Sequence, residues 1–278
     1  MPDYLAPTLF ELGFNILNQD NNHSEDYGYE GYLFTQEKLK QLGIKCIPKK
    51  GLAEFDIDST RIAIVAFGYS ENSNNLSDLE NAKNIIEELS KKFNLIIVSF
   101  HGGAEGKEAL HIKDSTEIYL GENRGNVYEF AHTVIDAGAD MVIGHGPHVL
   151  RAMEIYKNKL IAYSLGNFLT YGNMNLSGIN GVTVILKAEI DLNNGDFIRG
   201  KLVSIQQIGN GIPTLDKNSE GYNLIKNLTT MDIPNSNILF IGQDRFYNSE
   251  ISLPAFKPVE HNNEFKQVHF KEVNLSDY

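Results

Sequence analysis

Apolar residues recur along the first two thirds of the chain in two alternating rhythms. Short unbroken runs fall at Phe14–Leu17, Ile44–Ile47, Arg61–Phe67, Asn94–Phe100, Met141–Ile143 and Lys159–Tyr163. Runs of this length, bounded by Gly, Pro or Asn, predict buried strands. Between them lie stripes at helical spacing. One holds Tyr29, Tyr32, Leu33, Leu39 and Leu42, another Ala82, Ile85, Ile86 and Leu89, a third Val127, Phe130, Ala131, Val134 and Ile135. Apolar residues at i, i+3, i+4 and i+7 turn one helix face towards a core. Strand and helix in alternation predict a layered α/β fold, a central sheet flanked by helices.

After Gly181 the rhythm changes. Val182–Ile190 and Phe197–Ile208 read as two long strands joined at Asn193-Asn194-Gly195, a hairpin signal. The expected division is residues 1–180 for the α/β domain and 181–278 for a hairpin and tail packed on it, against the edge or the face of the main sheet. Beyond Asp216 the pattern predicts one helix and weak strands.

Composition narrows the function classes. Hydrophobic residues at 42% and charged residues at 22% suit a globular chain, not a low-complexity one. No apolar run reaches the roughly 18–20 residues of a membrane span, and no basic segment followed by an apolar one opens the chain. A net charge of −12 argues against general nucleic-acid binding, which needs a basic face. An anionic substrate remains compatible with a metal-loaded site. The single cysteine, Cys46, excludes an internal disulfide and falls in a strand, as a small apolar side chain would.

Three predicted strands each run into a polar cluster containing histidine. Phe14–Leu17 leads to Asp20-Asn21-Asn22-His23, Asn94–Phe100 to His101-Gly102-Gly103-Ala104-Glu105, and Met141–Ile143 to Gly144-His145-Gly146-Pro147-His148. In open α/β sheets ligands bind beyond the carboxyl ends of the strands. Imidazole, amide oxygen and carboxylate converging there suit Zn²⁺, Mn²⁺ or Fe ions. His111, His132, His261 and His269 lie outside the clusters and read as structural or surface residues. Asp20 and Asn22 share a direction only if the first strand persists through them, so Asp20 stays outside the expected ligand set.

These clusters, with Asp26-Tyr27-Gly28, Asp136-Ala137-Gly138-Ala139-Asp140 and Tyr163-Ser164-Leu165-Gly166-Asn167-Phe168, occur in an order that resembles the CapA family. That family is associated with poly-γ-glutamate capsule synthesis, and its fold is similar to the calcineurin-like metallophosphoesterases. The resemblance runs from about Pro7 to Tyr171. It implies a metal-dependent, phosphoesterase-like hydrolase using two divalent ions (Mn, Fe or Zn). Asn22, His101, His145 and His148 would be ligands, and His23 the proton donor to the leaving group. Glu105 and Asn167 would stand behind the ligands or in the substrate pocket. Arg151 would either pair with an anionic group or lie on the surface. The implied partners are an anionic polymer or phosphoester and a membrane-associated capsule-synthesis complex, in an extracytoplasmic or membrane-associated setting.

The chain departs from the family pattern in one respect. The opening strand ending in Gly-Asp, whose Asp binds metal, is missing. The expectation is therefore a fold without its first strand or strands, from a truncated reading frame or a degenerate member. The alternative function is a non-catalytic scaffold or assembly component with an incomplete metal site. A third is a sugar- or peptide-binding domain using a surface rich in tyrosine (thirteen Tyr, no Trp).

Overall fold

The computed structural model describes residues 3–172, 174–251 and the backbone of 270–274. The chain opens with α1 (Ala6–Glu11), β1 (Ile16–Asn18), α2 (Gly28–Gln41) and β2 (Lys45–Ile47). The central elements are β3 (Gly51–Ile57), β4 (Thr60–Gly68), α3 (Leu79–Ser90), β5 (Leu95–His101), β6 (Ile118–Tyr119), β7 (Glu122–Asn123), α4 (Val127–Asp136), β8 (Met141–His145), β9 (Met153–Tyr156) and β10 (Lys159–Ala162). Then follow β11 (Val182–Ile190), β12 (Phe197–Ile208), β13 (Ile212–Leu215), α5 (Glu220–Asp232), β14 (Ile238–Ile241), β15 (Arg245–Asn248) and β16 (Phe270–Asn274).

A seven-stranded mixed sheet, ordered β16-β3-β4-β5-β8-β10-β9, forms the centre. Strands β4, β5, β8 and β10 are parallel neighbours. Parallel strands are buried on both faces and so read as continuous apolar runs, which is why these four were visible in the sequence. The strands β3 and β9 were not predicted. Glu54 interrupts β3 and Glu154 interrupts β9, and each carboxylate is satisfied only through tertiary contacts. Glu54 pairs with Arg61 at 3.3 Å, and Glu154 accepts from Tyr163 Oη at 2.7 Å. The first strand begins later than expected, at Ile16, and Phe14 is exposed.

Successive side chains of the parallel strands divide between two cores. Val65, Phe67, Ile96, Val98, Phe100, Val142 and Ile161 face the helices α3 and α4. Those helices present Ala82, Ile86, Leu89, Phe130, Ala131 and Val134 in return, the stripes expected from the sequence. Their first turns are capped by Asp78 and Asn126, whose side chains accept the N–H groups of Asn81 and Glu129. On the opposite face, Met141, Leu160 and Ala162 pack with Val182, Val184, Phe197, Leu202 and Phe246. The predicted hairpin therefore lies against the face of the sheet. It is larger than expected, because β13, β14 and β15 extend it to five antiparallel strands. Nearer β4, the same face is covered by Ile16 and Ile47 of the small parallel pair β1–β2, which pack with Ala53, Ile64 and Ala66.

Helices α3 and α4 thus cover one face while strands cover much of the other. A gap between the β1–β2 unit and the C-terminal sheet opens at the carboxyl ends of β5 and β8. Phe130 is fully buried and meets Phe67 and Phe100 edge-on, at 5.2 and 5.6 Å between ring centroids. Phe130→Ala should lower the free energy of unfolding by about 3–5 kcal/mol, measured by urea denaturation. A loss under about 1 kcal/mol would mean that the helix layer is not locked to the sheet through this ring.

Candidate metal-binding site at the strand ends

Gly68, His101 and His145 close β4, β5 and β8, and they stand side by side in register. The loops that follow are bound to one another. Gly102 N donates to His145 O at 2.9 Å, and Gly106 N donates to Pro147 O at 2.9 Å. Gly146 has φ +119, and a Cβ there would lie 2.7 Å from Gly102 O. Only glycine permits both the conformation and the approach. The backbone therefore holds the two histidine loops together whether or not anything binds between them.

A cavity of about 420 Å³ lies over these ends. Its walls include Asn18, Asp20 and Asn21 from the segment after β1, His101, His145 and His148 from the strand ends, and Asn167 from the loop before β11. Three of the expected ligands are thus brought together. Asn22 lines a neighbouring cavity with Tyr69 and Glu122 instead. His23 is exposed, bonded through Nδ1 to Asp26 at 3.0 Å, and lies outside both cavity walls.

Each histidine is held differently. His148 adopts a left-handed conformation, φ 59, which its loop imposes on a non-glycine residue. Asn167 Nδ2 donates to His148 O at 3.0 Å, which leaves Asn167 Oδ1 as the acceptor 2.7 Å from His148 Nδ1. Nδ1 must therefore carry the proton, and the lone pair of neutral His148 sits on Nε2. That is the arrangement in which an outer hydrogen bond fixes a metal-binding imidazole. His101 is buried, and burial, followed by the neighbouring His145 and His148, pushes its pKa down to about 3. His145 keeps accessible surface at the cavity mouth, yet protein crowds the ring enough for desolvation to lower it to about 4. Both rings are neutral near pH 7, with lone pairs available.

Asp20 is the residue that sequence reasoning set aside. The strand β1 stops at Asn18, so Asp20 and Asn22 diverge, and it is Asp20 that enters the histidine cavity. Burial raises its carboxyl to about 6, against the lowering effects of the Ser73 hydroxyl, the Lys49 charge and the Lys50 backbone. The available sequence signal was a carboxylate directly before Asn-Asn-His.

The two arginines near the site are engaged by the protein itself. Arg151 is fully buried and forms a two-pronged pair with Glu117 at 2.8 and 2.7 Å. It is neither on the surface nor directed to a ligand. Its Nη2 also donates to Ala104 O at 3.1 Å, which braces the His101–Glu105 loop. Glu117, silent in the sequence, completes the brace by accepting from Ala104 N at 2.8 Å. Arg124 lies over the Tyr69 ring at 4.0 Å and pairs with Glu105 and Glu122 at 3.0 and 2.8 Å. Glu105 in turn faces His148 Nε2 at 3.8 Å. Among the described residues, no lysine or arginine lines the cavity wall.

The fit to a divalent cation was judged on the donors present. Two buried acceptor-capable atoms of residues lining this cavity, Asp20 Oδ2 and His101 Nε2, lack a hydrogen-bond partner among the described residues. Such atoms are costly to bury unpaired, and an ion would satisfy them. Among the described residues, no three His, Cys, Asp or Glu side chains converge closely enough to hold an ion by themselves. The donor chemistry suits one cation whose coordination is completed by amide oxygen or water. It does not supply the carboxylates that would balance two. His111 is bonded to Asp232, and His132 stacks on Tyr156, both away from the cavity. His261 and His269 lie outside the described residues.

The family described as bacterial capsule synthesis protein PGA_cap matches residues 1–171, and the chain belongs to that family. Within it, the PGA biosynthesis protein CapA of Bacillus subtilis (strain 168) is 28% identical over 179 residues, covering 58% of this chain and 44% of that protein. The capsule biosynthesis protein CapA of Bacillus anthracis is 27% identical over 180 residues, covering 57% and 41%. The chain spans less than half the length of these relatives. A solved structure from Staphylococcus aureus, described as a candidate 5'-nucleotidase in complex with alpha-ketoglutarate, has 15% identity and a TM-score of 0.48. It covers 81% of this chain and 44% of that one, and a likeness at that level carries no functional inference.

The lowered pKa of His101 has a consequence for stability. Its folded value lies below the unfolded one, so the protein is favoured above about pH 6.5 and loses that advantage as pH falls towards 3. At pH 5 the loss from this group alone is about 2 kcal/mol. His101→Gln should therefore flatten the decline in unfolding free energy between pH 7 and 5. An unchanged slope would show that this imidazole is not withheld from protonation.

Proposed function

We propose that this chain is a CapA-like protein of poly-γ-glutamate capsule biosynthesis that binds a divalent cation, Mn, Fe or Zn, and acts as a metal-dependent hydrolase. The α/β portion to residue 180 carries the chemistry, and the C-terminal strands from β11 to β15 pack on the same domain. The reading rests on family membership and on one observation above all. Three histidines and a buried carboxylate line a single cavity that, among the described residues, has no cationic side chain in its wall. An anionic polymer or phosphoester entering a chain of net charge −12 needs positive charge at the point of contact. With Arg151 and Arg124 committed to Glu117, Glu105 and Glu122, a bound cation is the available source.

His101 and His148 would hold the ion, with His145 at the mouth. When bound, it would supply Lewis-acid polarisation of a phosphoryl or carbonyl oxygen. Asn167 keeps the His148 ring oriented, and Arg151 keeps the His101 loop in place. His23, outside the cavity wall, would need to swing away from Asp26 to deliver a proton to a leaving group.

The exposure of His23 and the lack of three converged ligands favour a second reading. In that reading the chain is a non-catalytic assembly component of the capsule machinery that retains the cation site. The two separate in one experiment. Metal content per chain and hydrolysis of a chromogenic phosphodiester and of poly-γ-glutamate are measured for wild type and His101→Ala. The hydrolase reading expects about one metal equivalent and turnover, both lost in the variant. Metal without turnover on either substrate points to the assembly role. Turnover that survives His101→Ala contradicts the metal-dependent mechanism.

A further inference from the structure

The cavity beside the histidines has a different chemistry. Its volume is about 450 Å³, and its wall includes Asn22, Tyr69, Asn75, Glu122 and Asn123. Asn22 follows Asn21, which lines the histidine cavity, and the Tyr69 ring lies 6.1 Å from that of His101, so the two cavities are neighbours. Small-ligand pockets are mostly apolar, yet every residue in this wall carries a polar group. Two of those groups point to a ligand. Asn22 Oδ1 and Tyr69 Oη are buried and lack a hydrogen-bond partner among the described residues, whereas buried polar atoms are normally paired. Burial pushes the Tyr69 phenol up to about 12 against the pull of Arg124, so the hydroxyl keeps its proton. Arg124 lies over the ring at 4.0 Å and the ring also meets His101, so what Tyr69 offers a ligand is its hydroxyl. The amides of Asn75 and Asn123 are fixed beside it. Each Oδ1 accepts a backbone N–H, from Ser77 and Gly125 at 2.8 and 2.9 Å, which leaves each Nδ2 to donate outward.

We propose that this cavity binds a neutral, hydroxyl-rich ligand, a sugar residue, through Asn22 and Tyr69. Asn22 Oδ1 can only accept, the asparagine Nδ2 groups can only donate, and the Tyr69 hydroxyl does both. A hydroxyl answers all three, because it donates and accepts at once. Several hydroxyls on one small frame are what a sugar presents. An anion meets the wrong field here. Glu71 and Glu122 stand in the wall, Glu122 is answered by Arg124 at 2.8 Å, and among the described residues no lysine or arginine joins them. A bare ammonium could satisfy Asn22 Oδ1 but would leave the asparagine donors unanswered. The proposal goes beyond the cation reading and does not depend on it.

The test is saturation-transfer NMR and calorimetry with glucose, galactose, N-acetylglucosamine and ribose as probes. Glutamate and glycylglycine serve as controls, and each measurement is made with and without chelator. Wild type, Tyr69→Phe, Asn22→Leu and Ser77→Phe are compared. Tyr69→Phe removes only the hydroxyl, and Asn22→Leu removes the amide at similar volume. Ser77→Phe narrows the cavity from an exposed position in its wall and leaves the buried groups in place. The expected result is that at least one sugar binds wild type, with or without chelator, while neither control does. Tyr69→Phe and Asn22→Leu each weaken that binding about tenfold, and Ser77→Phe abolishes it. Without sugar, Tyr69→Phe melts at or above the wild-type temperature, because it loses an unpaired buried hydroxyl. Absence of sugar binding in wild type overturns the proposal, as does sugar binding unchanged in all three variants. Binding of glutamate or glycylglycine in preference to every sugar assigns the cavity to an amino acid or peptide and also overturns it. Sugar binding lost with chelator transfers the sugar to an ion-dependent site and overturns it too. If Tyr69→Phe or Asn22→Leu fails to fold, Ser77→Phe decides, and sugar binding retained in that variant contradicts the proposal.

Discussion

Parallel pairing of β4, β5 and β8 in one register is the constraint on which the site depends. It sets Gly68, His101 and His145 in a row across neighbouring strands. Side chains along a strand alternate between faces, so a slip of one residue would carry His101 to the wrong side and bury a backbone turn in its place. Register is protected by what lies beneath. Phe100, one residue before His101, is fully buried against Phe130, and Val98 and Val142 pack in the same core. The site is thus an extension of the hydrophobic core. Its positioning is thermodynamically tied to the burial of residues that take no part in binding.

Above the strand ends, order is maintained by polar groups whose partners are inside the protein. The Arg151–Glu117 pair is buried and braces the His101 loop through Ala104. Buried ion pairs cost desolvation and add little net stability, but removing one partner leaves an uncompensated charge. Such a pair serves geometry better than it serves stability. The consequence for chemistry is direct. With Arg151 and Arg124 both answered by glutamates, the polar part of the cavity wall consists of imidazoles, amides and one carboxylate. The family to which the chain belongs is named for capsule synthesis.

The parallel strands and their helices were legible because burial on two faces leaves unbroken apolar runs, and burial on one helix face leaves a stripe. The C-terminal hairpin was legible from its length and its Asn-Asn-Gly turn. The strands β3 and β9 were hidden because Glu54 and Glu154 break the apolar pattern, and their partners Arg61 and Tyr163 come from neighbouring strands rather than from the same run. In the site, His101, His145 and His148 were legible as strand-end residues beside glycine. Arg151 was not, since nothing in its neighbourhood announces Glu117, thirty-four positions away. The placement of Asp20 was not legible for a physical reason. The expectation assumed that a ligand pair needs a continuing strand, whereas the chain turns after Asn18 and sends Asp20 and Asn22 into different cavities. Turn geometry of that kind depends on what the segment packs against, here Ser73 and the open space over Gly68.

The most direct measurement of the central claim is anomalous diffraction from crystals of this chain soaked in Mn²⁺. The account predicts one strong peak in the cavity, beside His101. A cavity without a peak, or an ion bound only elsewhere on the acidic surface, would contradict it.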